Sequence, residues 1–129
     1  MKLRDIMKPS PRTVTEVTRL VDAQLLMSKH HIRHLPVIRD ARICGMLSER
    51  DILDYRAKTA FREDWWRAPV SAAMVAPPQT AGPDDSLTEV AGRLAAAKIG
   101  AMPVVEHGAL IGLVTVTDVL EAEVNQSMS

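Results

Sequence analysis

The chain has 129 residues, an apolar fraction of 47% and sixteen acidic against sixteen basic side chains, so its formal charge is zero. That length suits one compact domain or two small halves sharing a core, and the balanced charge leaves no basic stripe for gripping nucleic acid or an anionic membrane. A lone cysteine, Cys44, allows no internal disulfide. The opening MKLRDIMKPSPR lacks the apolar core of a secretory signal, and no apolar run approaches the roughly 20 residues that span a bilayer, so a soluble cytoplasmic protein is expected.

Taken in chain order, a short extended piece (RTV, 12–14) precedes a helix whose apolar residues Leu20, Ala23 and Met27 recur at helical spacing. An apolar strand (HLPVI, 34–38), a polar turn (RDAR, 39–42) and a second strand (ICGML, 43–47) follow, and a closing helix begins near Glu49. The stretch DYRAKTAFREDWWRAP then carries all four aromatic residues, Tyr55, Phe61, Trp65 and Trp66. A second extended piece (QTA, 79–81) leads through Pro83 and Asp84 to a helix with Leu87, Val90, Ala91 and Leu94 on one face. Ser86 and Glu89 have the spacing of a capping box at its start. The strands AMPVV (101–105) and LIGLV (110–114), joined by the turn EHGA, lead to a closing helix near Val116. The order is β-α-β-β-α, twice.

Sliding the sequence on itself by 67 positions shows why. Met7 falls on Met74, Pro11 on Pro78, Thr13 on Thr80, Leu20 on Leu87, Ile32 on Ile99, Pro36 on Pro103, Val37 on Val104, Gly45 on Gly112, Asp51 on Asp118 and Leu53 on Leu120, without a gap. The chain reads as a first repeat over 1–56, an aromatic-rich linker over 57–69 and a second repeat over 70–129. One unit alone would leave a sheet face uncovered, so the two are expected to pair with pseudo-twofold symmetry around a cleft. The fold class is α/β (α+β).

The phrase Gly-x-x-Ser/Thr-x-x-Asp closes both repeats, as GMLSERD at 45–51 and GLVTVTD at 112–118. Ser or Thr followed three residues later by an acid is a common helix cap. The same phrase can also hold a nucleotide. Gly45 and Gly112 would let a ligand approach the backbone. Ser48 and Thr115 stand at a strand-to-helix junction where N–H groups and the helix dipole favour phosphate. Asp51 and Asp118 could accept hydrogen bonds from two ribose hydroxyls.

Met7, the LPV at 35–37, Gly45, Ser48 and Asp51, repeated as Met74, the MPV at 102–104, Gly112, Thr115 and Asp118, resemble a tandem pair of CBS domains, the repeat named after cystathionine beta-synthase. The resemblance covers nearly the whole chain and implies a regulatory module that binds AMP, ADP, ATP or S-adenosylmethionine between paired repeats. It further implies self-association into a homodimer of pairs and an effector protein. Thr13 and Thr80, by the same resemblance, lie where the first short strand meets the base. With no aromatic residue nearby, the adenine slot falls to Val14, Ile32, Pro36, Ile99, Met102 and Pro103, which are equally suited to being core.

The repeats differ where phosphate would be met. Arg33 and His34 in the first match Gly100 and Ala101 in the second, and Arg50 matches Thr117. Arginine offers a planar fork of donors, so one well-formed nucleotide site and a second, weaker or less charge-selective one are expected.

Two further clusters remain. His30, His31 and His34 could ligate a metal only if His30 and His34 shared a continuous helix, and the helix is expected to end near His31, so no metal site is assigned. The aromatics either pin the linker to the globule or form an interface with a second copy or an effector, with Phe61 and Trp65 one helical turn apart. Cys44 has no histidine in a matching role, and the repeats align without an inserted catalytic loop, so no catalytic residue is assigned. The alternative to a ligand sensor is a ligand-independent dimerisation or scaffold module acting through the aromatic linker.

Overall fold

The computed structural model describes residues 1–60 and 62–128. In chain order its elements are β1 (Lys8–Pro9), β2 (Val14–Thr15), α1 (Leu20–His30), β3 (His34–Arg39), β4 (Arg42–Ser48), α2 (Glu49–Lys58), α3 (Leu87–Ala97), β5 (Ala101–Glu106), β6 (Ala109–Thr115) and α4 (Val116–Met128). Short 3₁₀ turns lie at Leu3–Asp5, Trp65–Arg67 and Val70–Ala72. The β-α-β-β-α order is present twice, the first strand of the second copy being reduced to a bridge between Ala81 and Val104.

Local chemistry explains the turns. Asp40 and Ala41 between β3 and β4, and His107 and Gly108 between β5 and β6, all have positive φ (50°, 63°, 53° and 81°), as a two-residue turn must if it is to follow the twist of its strands. Helix α1 stops at His31 (φ 54°), where the Ile32 N–H turns back to the Met27 carbonyl at 3.0 Å; α3 stops likewise at Lys98 (φ 55°), with Ile99 N–H on the Leu94 carbonyl at 3.1 Å. These left-handed caps satisfy carbonyls that the helix would otherwise leave bare. At the start of α3, the Ser86 hydroxyl accepts the Glu89 N–H at 3.1 Å. The expected return arm from Glu89 is not formed. Here the N-terminal segment runs alongside through the Lys2–Ser86 bridge, with the Leu87 N–H on the Met1 carbonyl and the Leu3 N–H on the Asp85 carbonyl.

The chain divides into two compact units, Arg12–Pro78 and Met1–Pro11 with Gln79–Ser129. In the first, β2 is parallel to β3 and β3 antiparallel to β4; in the second, β6 lies between β5 and β1, antiparallel to both. Apart from Ala122, which falls on the partly buried Tyr55, the cores correspond under the same 67-residue shift. Val14, Leu20, Ala23, Met27, Leu35, Val37, Leu47, Ile52 and Val70 in one become Ala81, Leu87, Val90, Leu94, Met102, Val104, Val114, Val119 and Leu3 in the other. The last pair breaks chain order. Leu3, in the opening segment of the first repeat, is buried in the unit of the second, and Val70, at the start of the second, is buried in the unit of the first.

The compact units are therefore not the contiguous repeats. Each takes in the opening segment of the other repeat, because β3–β4 and β5–β6 each leave a strand edge with unpaired backbone groups. Lys8 and Pro9 pair with Leu113 and Gly112. Val75 bridges Met46, exchanging N–H and carbonyl at 2.9 and 3.0 Å. Beside each pairing lies a methionine on a glycine: a Cβ built on Gly112 would stand 2.5 Å from Met7 Sδ and 3.2 Å from the Lys8 carbonyl, and one on Gly45 would stand 2.7 Å from Met74 Sδ and 3.1 Å from the Val75 carbonyl. The room these glycines leave, expected for a ligand, is filled by the chain itself.

Gly112→Ala should destabilise the protein by about 1–3 kcal/mol through overpacking, and Met7→Ala should recover part of that loss in the double variant. Urea unfolding of the two single variants and the double reads the coupling.

Candidate functional site

In the first repeat, α2 opens with a complete capping box. The Ser48 hydroxyl accepts the Asp51 N–H at 3.0 Å, and Asp51 Oδ2 accepts the Ser48 N–H at 2.8 Å. The next donor, the Glu49 N–H, goes to the Arg33 carbonyl at 2.9 Å. The helix start therefore turns donors inward that the phosphate reading treated as free. What stays open is a side-chain group. Asp51 is half-buried, and its Oδ1 has no hydrogen-bond or ion-pair partner among the described residues. Arg33 and Arg50 are exposed and likewise have no ion pair among them. His34, half-buried at the head of β3, is held below the usual imidazole value by burial and by the Arg33 charge, against an opposing pull from Asp51 and Glu49. Arg33 also lines an open hollow of about 420 Å³ with Gln24, Met27, Ser28, His31, Ile32 and Glu49.

The second repeat builds the same box at α4. The Thr115 hydroxyl accepts the Asp118 N–H at 3.2 Å, Asp118 Oδ2 accepts the Thr115 N–H at 2.9 Å, and the Val116 N–H reaches the Gly100 carbonyl at 3.0 Å. The side chains around it differ. Asp118 is 5% exposed, and its Oδ1 is 3.1 Å from the ammonium of Lys8 on β1. Lys8 escaped the sequence reading. Its mismatch with Val75 under the 67-residue shift was visible, but nothing local says that β1 lies on β6.

Of the other expected contacts, Val14, Pro36, Ala101, Met102 and Pro103 are buried. Ile32 and Ile99 pack against the two cores directly after the helix caps. Thr13 and Thr80 are half-buried, with Arg93 Nη2 donating to the Thr80 carbonyl at 2.8 Å. Gly100 is half-buried and Thr117 exposed. In each repeat the phrase brings its own hydroxyl and carboxylate together.

His30 ends α1 and His34 begins β3, with the left-handed His31 between them, so they share no helix. No group of His, Cys, Asp or Glu among the described residues is arranged to hold a metal ion. Trp65 packs on the core of the Arg12–Pro78 unit with the Arg56 guanidinium 4.4 Å from its ring centre. Trp66 is 39% exposed, and Arg19 lies 5.7 Å from its ring centre. Phe61, expected to extend a stripe with Trp65, lies outside the described residues. Burial pushes the half-buried Cys44 thiol upward, which leaves it a poor nucleophile.

The family model of the CBS domain matches this chain twice, over residues 3–58 and 70–125. The CBS domain-containing protein YhcV of Bacillus subtilis is 28% identical over 116 residues, covering 90% of this chain and 81% of that protein. The inosine-5'-monophosphate dehydrogenase of Korarchaeum cryptofilum is 35% identical over 122 residues, which are 94% of this chain but only 23% of the dehydrogenase. Among solved structures, CBSX2 in complex with AMP superposes with a TM-score of 0.83 at 26% identity, covering 98% of each chain. No helix among the described residues is long and apolar enough to cross a membrane.

The depressed His34 value has a consequence for stability. As pH falls below about 6.5, the unfolded chain takes up the proton before the folded one. His34 therefore costs stability on acidification and nothing above that range, and His34→Gln should flatten the fall of melting temperature between pH 7 and pH 5.

Proposed function

Because this chain belongs to the CBS-domain family as a tandem pair, we infer that it is a regulatory module that binds an adenosine-containing ligand, AMP, ADP, ATP or S-adenosylmethionine. It passes the bound state to an effector protein or to its own dimer. The observation that carries this reading is the Asp51 carboxylate, half-buried, held by its cap at Oδ2 and unengaged at Oδ1 among the described residues, with the unpaired Arg33 and Arg50 close by in the chain. A fixed carboxylate oxygen is suited to ribose hydroxyls and unpaired guanidiniums to phosphate. The AMP in the CBSX2 structure supports the ligand class, and the match to 81% of YhcV supports a relative built mostly of the same two repeats.

Signalling requires the ligand to bind two arrangements of the protein with different affinity. Thr13, Thr80, Ile32 and Ile99 remain proposed contacts to the base, with Ser48, Thr115 and Thr117 near the sugar and phosphate. The scaffold reading draws less support, since Trp65 is committed to the core of its own unit.

Thermal unfolding against AMP, ADP, ATP, S-adenosylmethionine and NAD, with GTP as control, tests the proposal. A ligand at 100 times its dissociation constant should add about 2.7 kcal/mol and raise the melting temperature by several degrees. Asp51→Asn, which keeps an acceptor for the cap, should abolish the strongest shift. Silence with every adenosine compound at millimolar concentration would sink the reading.

A further inference from the structure

The two repeats present the same carboxylate in the same cap, yet only one of them carries a lysine on it. In the second repeat Lys8 pairs opposite Leu113 on β6 and sends its ammonium to Asp118 Oδ1 at 3.1 Å. In the first repeat the matching strand contact is Val75 against Met46, the same register under the 67-residue shift, and a valine brings no charge. Asp118 thus has both oxygens engaged, Oδ2 by the Thr115 N–H and Oδ1 by Lys8, with 4% of its side chain exposed. Asp51 is half-buried and has one oxygen engaged.

The Lys8 side chain is 69% exposed and held along its length by nothing else that the structure records. Its ammonium supplies to Asp118 what ribose hydroxyls would supply to Asp51, namely hydrogen-bond donors. It also neutralises the carboxylate, so displacing it would leave a nearly buried charge without a partner. Arg33, His34 and Arg50 have no counterpart in this repeat that could compensate, since Gly100, Ala101 and Thr117 stand in their places.

The geometry points to Lys8 as a built-in occupant of the second repeat's carboxylate, closing Asp118 to an external sugar and leaving Asp51 as the open one of the two cap carboxylates. The proposal rests on the adenosine reading above and deepens it, making Lys8 the residue that decides how many ligands a chain takes. Lys8 is the element of asymmetry contributed by the opening segment of the first repeat, not by the second repeat's own sequence.

Counting AMP sites by calorimetric titration tests it. The wild-type chain should bind one AMP, lost in Asp51→Asn and kept in Asp118→Asn. Lys8→Met, which keeps the aliphatic stem, and Lys8→Val, which copies the first repeat, should each bind two, and adding Asp118→Asn to either should return the count to one. Two sites in the wild type, or one site in both Lys8 variants, would overturn the proposal; so would a Lys8 variant that lost an existing site, which would make Lys8 a ligand contact. If no variant binds AMP, the adenosine reading falls, and melting of Lys8→Met, Asp118→Asn and the double variant decides the rest. Non-additive shifts keep Lys8 as the occupant of Asp118, and additive shifts remove it.

Discussion

A methionine thioether laid on a glycine backbone is the contact on which each half of this protein depends. Met7 on Gly112 and Met74 on Gly45 sit where the short opening segment of one repeat completes the sheet of the other. Only glycine permits that approach, since any Cβ there would stand inside the sulfur's own volume. The segment does more than cover a strand edge. It delivers Leu3 or Val70 to the core, both fully buried, and it fixes which residue stands above each closing helix. A contiguous repeat would have its two helices and its hairpin but would lack this last strand and one core side chain.

At the start of each closing helix one carboxylate caps the backbone and has a second oxygen beyond the cap. An aspartate three residues after a serine or threonine spends one oxygen on the cap and keeps the other. The cap holds the carboxylate still, and a carboxylate already fixed loses little freedom when a ligand binds. The cap uses one oxygen of the residue, so a formed cap still leaves Asp51 Oδ1 without a partner among the described residues. What distinguishes the repeats is the company of the second oxygen: nothing recorded beside Asp51, and an ammonium beside Asp118.

The aromatic stretch between the repeats is partly accounted for by the same economy. Trp65 lies on the core and carries the Arg56 guanidinium on its face, so the linker contributes packing to the Arg12–Pro78 unit of which it is part. Trp66 keeps 39% of its surface in solvent, with Arg19 over its ring. Within the linker, Trp65 and Ala68 are the described residues that pack on that core.

Much of this was legible in the sequence, and for a local reason. Helix and strand periodicities, turn residues and cap spacing each depend on a few neighbours along the chain, so the element order, the closing helices at Glu49 and Val116 and both capping boxes follow from short stretches. Repetition did the rest, since two copies in register mark Leu20 and Leu87, or Val37 and Val104, as equivalent core positions. The tertiary structure alone decided what lies against Gly45 and Gly112, why Ser86 forms only half a box, and that Lys8 meets Asp118. Each of these joins residues far apart in sequence across a strand pairing, and the pairing of a two-residue strand leaves no periodic signal by which to find its partner.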